Sequence, residues 1–195
     1  MSRSVSSRKQ RLPGKSGTGG LGASRQATTS ARLLRLDELA SVPLDWMSVG
    51  PEHQVHLSGF SCARRHFRWE VDVEAHVQTL ASVRPPEYAL VGSDAFGPVV
   101  VVNYWINESD ASCKILVVAT AARAQKSGYG REAVDHVVSL LEHGAHGVID
   151  EAFGLVHRLN VRSKSMLRQA GFEFEATCGE ELELWGRSVA QGGHE

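Results

Sequence analysis

Gln125-Lys126-Ser127-Gly128-Tyr129-Gly130 is the stretch on which the reading of this 195-residue chain turns. An apolar run at 115–119 precedes it, and an amphipathic run at 131–143 follows. A strand that passes through a glycine-bearing loop into a helix leaves several backbone N–H groups free at a positive helix terminus. Such a terminus binds phosphate. Gly128 and Gly130 let the backbone approach an anion with no Cβ in the way, and Lys126 and Arg131 add positive charge on either side. The loop reads as a pyrophosphate cradle. Glycines also punctuate loops for conformational reasons alone, so a second motif has to decide between the two.

Around this loop the composition is that of an ordinary soluble globular chain, long enough for one domain with an appendage. The longest apolar runs, such as 99–102, fall far short of a membrane span, and no membrane partner is expected. Cys62, Cys113 and Cys178 are odd in number and widely spaced. That pattern argues against a disulfide framework or zinc site and for a reducing compartment, the cytoplasm. The N-terminus carries no apolar segment of the secretory kind. Charge is unevenly spread: residues 1–32 hold seven basic side chains and no acidic one, leaving 14 of the 21 basic residues against all 22 acidic ones, a formal −8, in the remainder. An acidic folded part is a poor surface for nucleic acid, whose phosphates dominate binding. It suits a cationic amine better.

Residues 1–30 are rich in Ser, Gly, Arg and Thr. They cannot bury enough apolar surface to offset their ordering entropy and are expected to be disordered. Gly14-Lys15-Ser16 is no P-loop, since Lys9 stands where the motif's first glycine belongs and no strand precedes it. A domain is expected over 31–187, with a flexible polar tail over 188–195. Residues 33–40 and 54–60 are alternatives for the first strand, and the choice between them stays open. Residues 64–81 read as a helix, on two stripes: Phe67, Val71 and Ala75, and Trp69, Val73 and Val77. Pro85-Pro86 ends it. A hairpin of 88–92 and 98–106 follows, then a polar turn, a strand at 113–120, the glycine loop, and a helix over 131–143 capped at His143-Gly144. A strand within 147–156, a short helix over 160–170 and a hairpin of 172–176 with 181–185 complete the order. Antiparallel strands followed by strand–loop–helix–strand–helix–strand give a mixed α+β, or α/β, sheet.

The second motif is His157-Arg158-Leu159-Asn160-Val161-Arg162-Ser163, followed by Met166-Leu167 and Ala170-Gly171-Phe172. Gln125, Gly128 and Gly130 form a Gln-x-x-Gly-x-Gly loop that ends 30 residues before Asn160. This order resembles the GNAT N-acetyltransferase superfamily over about 115–172. The resemblance implies a central, mostly antiparallel mixed sheet with a splayed parallel strand pair and flanking helices. It implies acetyl-CoA as cosubstrate, no metal, and an amine acceptor, either a small molecule or a protein N-terminus. Pantetheine would lie along Val118, Ala119 and Thr120. The pyrophosphate would sit on Gln125, Lys126, Ser127, Gly128, Tyr129, Gly130 and Arg131, with Asn160 at the thiol end. A homodimer is left open.

For the chemistry, many members of that superfamily carry a proton-donating tyrosine seven residues after the motif asparagine. Leu167 stands there and cannot donate. Ser163, one helical turn after Asn160, is the candidate donor to the departing sulfur. His157, just before that helix, is the candidate base, histidine being the side chain that titrates near neutrality. Glu108, Asp110, Asp150 and Glu151 lie near strand ends and are candidates to line the acceptor side. Three rivals stand beside this reading. Gly128-x-Gly130-x-x-Ala133 with Asp150 mimics a dinucleotide fingerprint, but seven residues separate the strand from its first glycine and the second motif goes unexplained. Phe60-Ser61-Cys62 resembles the start of GNAT toxins that acetylate aminoacyl-tRNA, against which the acidic charge speaks. A degenerate GNAT domain that binds CoA or a protein without turnover is the third. His143 and His146 lack a third ligand at a metal-binding spacing.

Overall fold

Strand pairing sets the architecture. The computed structural model describes residues 43–62 and 67–190. The expectations for 1–30 and 33–40 lie outside those residues. In chain order the elements are β1 (Asp45–Ser48), α1 (Gln54–Ser58), α2 (Arg68–Val77), β2 (Glu87–Asp94), β3 (Gly97–Asn107), β4 (Ser112–Thr120), α3 (Tyr129–Glu142), β5 (Glu151–His157), α4 (Val161–Gln169), β6 (Glu173–Cys178) and β7 (Leu182–Ser188). The strands form one seven-stranded sheet in the order β1-β2-β3-β4-β5-β7-β6. All neighbours are antiparallel except β4 and β5, which run parallel. This is the mixed, mostly antiparallel sheet the sequence implies.

Strand alternation gives the sheet two buried faces. On one, Val102, Tyr104 and Ile106 of β3, Ile115 of β4, and Ala152 and Val156 of β5 meet α3 and α4. Helix α3 contributes Ala133, Val134, Val137, Val138 and Leu141, an apolar stripe at helical spacing. Gly144, at φ +72°, takes the left-handed conformation that ends it. On the other face, Leu57 of α1 and Val77 of α2 pack with Leu80 and Ala81 on Ala89, Val91, Val101 and Ala119. That second layer therefore covers β2, β3 and β4. The cysteines are free, Cys62 and Cys113 buried, and among the described residues no helix is long and apolar enough to cross a membrane.

The structure differs from the local expectations at three places. Residues 54–60, read as a strand, are helical: Pro51 and Glu52 open a 3₁₀ turn that runs into α1. Among the residues described there, Leu57 and Phe60, three apart, are buried. Of the two stripes in 64–81, the one through Trp69, Val73 and Val77 wins. Val77 is fully buried, whereas Phe67 and Val71 on the other stripe are each 49 % exposed. The chain also stays packed past 188, where the polar tail was expected to begin, since Val189 is buried and its N–H donates to Asp150 O.

The feature that positions the site is how little β4 and β5 share. They pair only from Ser112↔Glu151 to Ile115↔Gly154. Beyond that point β4 continues beside β3 to Thr120, and β5 beside β7 to His157. The β3–β4 register skips Leu116, passing from Tyr104↔Ile115 to Asn103↔Val117. Such a bulge bends its strand and leaves backbone groups unpaired. The two parallel strands part at Leu116, and a cleft opens between them.

Candidate functional site

The cleft has a volume of about 570 Å³. Its floor is the end of β4, with Val118, Ala119 and Thr120, and its closed end is the glycine loop. One wall is α4, through Asn160, Arg162, Ser163, Ser165, Met166 and Gln169. The other is Cys62 with Trp69, Glu70 and Val73 of α2.

The loop is held from behind before it can hold anything. After β4 a 3₁₀ turn over Ala122–Ala124 carries Arg123 back to the β2–β3 hairpin. There both of its terminal nitrogens donate to the Asp94 carboxylate at 2.8 Å. That bond holds the Asp94 carboxyl below the ordinary carboxylate range. Next, Gln125 turns its side chain away from the loop, and its Nε2 donates to Cys62 O at 2.8 Å. Glu74 takes Ser61 Oγ at 3.1 Å and Cys62 N–H at 2.8 Å. Gln125 and Glu74 thus fasten the glycine loop to the α2 wall through residues 61–62.

From there the backbone shapes the cradle. Lys126 sits at φ +75° and Gly128 at φ +88°. The left-handed region costs a residue with a Cβ about 1 kcal/mol, so Lys126 stores strain at this site. Gly130 opens the first turn of α3 against the cleft floor. A Cβ there would stand 3.0 Å from Met166 Sδ and 3.3 Å from Thr120 Oγ1. The N–H groups of Tyr129 and Gly130, in the first turn of α3, have no intrahelical partner. Lys126, Arg131 and Arg162 bring three cations to the lining. Donors at a helix N-terminus, a close approach that a Cβ would crowd, and three cations fit the pyrophosphate of acetyl-CoA. The unpaired edge of β4 beyond Ile115 fits the amides of its pantetheine arm.

Among the residues expected at the site, Val118, Ala119, Thr120, Gln125, Lys126, Gly128, Gly130, Arg131, Asn160 and Ser163 all line this one cleft. Tyr129 contributes its backbone alone, its ring being buried in the core. Ser127 is exposed and outside the lining. Asn160 caps α4, its Oδ1 accepting from Ser163 N–H at 3.1 Å. Leu167 is 3 % exposed and points into the core, not the cleft. His157 stands one ring behind the wall, stacked on Trp69 at 4.4 Å. Its Nδ1 accepts from Leu159 N–H at 3.2 Å, and its Nε2 lies 3.9 Å from Glu181 Oε2.

Glu108, Asp110, Asp150 and Glu151, candidates for the acceptor side, are absent from the lining. They precede β4 and open β5, at the paired end of the two strands. The carboxylate that does line the cleft is Glu70. Cys62 beside it is no nucleophile, because burial and the Glu74 charge push its thiol up to about 11. Arg162, Ser165, Met166 and Gln169 recur at the three- and four-residue spacing of a single helix face. Trp69, Glu70 and Cys62 had no such signal. Among the described residues no group of three His, Cys, Asp or Glu can hold a metal ion. His143 Nδ1 meets Ser139 O at 2.7 Å, and His146 Nε2 meets the Tyr104 hydroxyl at 2.9 Å.

No protein-family model and no curated protein sequence matches the chain. Solved structures do. An acetyltransferase from Thermus thermophilus superposes with a TM-score of 0.57 at 20 % identity, over 76 % of this chain and 98 % of that one. The ribosomal L7/L12 alpha-N-protein acetyltransferase, in complex with coenzyme A, gives 0.63 at 14 %, over 78 % and 98 %. A mutant spermidine N-acetyltransferase from Vibrio cholerae gives 0.58 at 13 %, over 75 % and 94 %. The fold is that of the GNAT acetyltransferases. At these identities the likeness is one of fold, and what a GNAT-fold chain does rests on its own cleft.

Proposed function

We propose that this protein transfers the acetyl group of acetyl-CoA to a primary amine within a ternary complex. One observation carries the reading: β4 and β5 part directly above a glycine loop at a helix N-terminus. When bound, acetyl-CoA supplies a thioester whose acetyl carbon an amine can attack. The chain's own residues bind and orient around that. The N–H groups of Tyr129 and Gly130, with the Lys126, Arg131 and Arg162 side chains, take the pyrophosphate. The β4 edge at Val118, Ala119 and Thr120 takes the pantetheine, and Asn160 and Ser163 flank the thiol end.

Ser163 is the donor we assign to the departing sulfur, its hydroxyl being on the cleft wall. The amine must lose a proton to attack. We assign that proton to His157, behind Trp69 and one ring outside the lining, through Nε2, since Nδ1 already holds the Leu159 N–H. A second reading, binding without turnover, draws support from Leu167, which is buried where a phenol would otherwise serve. Amine-dependent release of free thiol from acetyl-CoA separates the two. Ser163→Ala should then lower kcat at least about tenfold, toward the roughly 10²–10⁴-fold of a lost acid–base group, with acetyl-CoA affinity unchanged. An unchanged kcat would remove Ser163 from the mechanism.

A further inference from the structure

We infer that the acceptor is a monoamine with an apolar body, a single ammonium group joined to a hydrophobic portion, and not a polyamine. The inference rests on the acetyl-transfer reading and names the substrate class of the same site. Two independent observations carry it, one of charge and one of surface.

The charge observation is the cleft lining. Among the described residues Glu70 is its one carboxylate, against Lys126, Arg131 and Arg162. The three cations suit phosphate, and Glu70 is the carboxylate that the wall carries. A polyamine brings several charges, each of which loses hydration on entry and needs its own partner. Glu74, behind Cys62, has its carboxylate already holding Ser61 Oγ and Cys62 N–H. Glu181 lies beside His157 with its side chain 74 % exposed. Pairs made in solvent contribute little.

The surface observation is the open sheet face beside the cleft. Along β5, Ala152 and Val156 point into the α3 and α4 side, so Leu155 and His157 point the other way. Leu155 pairs with Leu184 and His157 with Leu182 on β7, and Ala176 of β6 continues the row beside Leu184. Cross-strand partners share a face. The buried residues of the helical layer on that side pack on β2, β3 and β4, and the layer meets this row through Trp69 on His157. Leu155 is left 39 % exposed and Leu182 37 %, with Leu116, at the point where the strands part, also at 37 %. Trp69 joins this face to the cleft: it lines the cleft and stacks on His157, and Phe67 stacks on it in turn at 4.4 Å. An amine at the Asn160–Ser163 end of the cleft would thus have Trp69 on the wall, with the leucine row reached beyond it through His157. That surface rewards a hydrophobic body and offers nothing to a second ammonium.

The test is steady-state acetyl-CoA turnover by the full chain with phenethylamine, a leucine-initiated tetrapeptide amide and spermidine, alongside acetyl-CoA binding by calorimetry. At least one apolar monoamine should exceed spermidine tenfold or more in kcat/KM. The first two arms separate a free amine from a protein amino terminus. Leu155→Asp should cut the apolar substrates at least tenfold, narrow the gap to spermidine, and leave acetyl-CoA affinity unchanged. Equal or better turnover of spermidine by the wild-type protein, or an unaltered ratio in Leu155→Asp, overturns the inference and leaves acetyl transfer standing. Absence of acetyl-CoA binding overturns both.

Discussion

The two loop glycines serve different ends, and single substitutions separate them. Gly128 is glycine for its backbone: at φ +88° a Cβ would meet nothing within 4 Å, yet the left-handed conformation itself disfavours one. Gly130 is glycine for space, with Met166 Sδ 3.0 Å and Thr120 Oγ1 3.3 Å from its missing Cβ. Gly128→Ala should therefore cost about 1 kcal/mol of stability, roughly 2–4 °C in Tm for a domain of this size, with acetyl-CoA affinity within a few-fold of wild type. Gly130→Glu should abolish acetyl-CoA binding in calorimetry, since it fills the floor beneath the cradle and sets a carboxylate against the phosphate. If Gly130→Glu binds as the wild-type protein does, acetyl-CoA does not use this loop.

At the scale of elements, α4 shows how a cofactor wall is also a stability problem. It is a short helix, Val161–Gln169, with one buried residue, Leu167. Helices this short depend on their caps and tertiary contacts. Asn160 supplies the cap through its bond to Ser163 N–H. Asn160→Ala should cost about 1 kcal/mol, seen as a lowered Tm, and Asn160→Asp should restore most of it. An Asn160→Ala protein that melts with the wild type would show that the cap contributes nothing. This helix was legible in the sequence because its start, its stop at Gly171 and its spacing are local. The same holds for β4, the glycine loop and α3, and so for ten of the residues that line the cleft. The α2 wall was not legible. Its two stripes are equally apolar, and only packing on β2–β4 decides that Val73 and Val77 turn inward while Val71 stays exposed. Trp69 and Glu70 reach the cleft by that rotation alone. The strand expected at 54–60 failed for a related reason: in so short a run, apolar residues three apart and two apart coexist, and Pro51 was the local signal that favoured a helix.

For the whole molecule, two histidines couple the α3 layer to the β1–β3 edge of the sheet and make its stability depend on pH. His136 of α3 stacks on Trp46 of β1, ring centroids 4.5 Å apart and 8° from parallel. His146, after α3, bonds the Tyr104 hydroxyl and packs on Tyr88 at 4.4 Å. Burial lowers both from their ordinary value of 6.5. Near and below that value the unfolded chain binds more protons than the folded one, so stability rises with pH. The contribution of neutral His136 and His146 is present above pH 6.5 and is lost as pH falls through their lowered values. Glu132, raised from 4.5 by its own burial, works in the opposite sense as pH climbs above that value. It cannot produce an acid-side loss in the same range. Tm should fall between about pH 7.5 and 5.5, and a protein carrying His136→Phe, which keeps the stack, with His146→Gln, which keeps an acceptor for Tyr104, should show a flatter profile over that window. If the double variant loses as much Tm on acidification as the wild-type protein, the pH dependence arises elsewhere than at this edge.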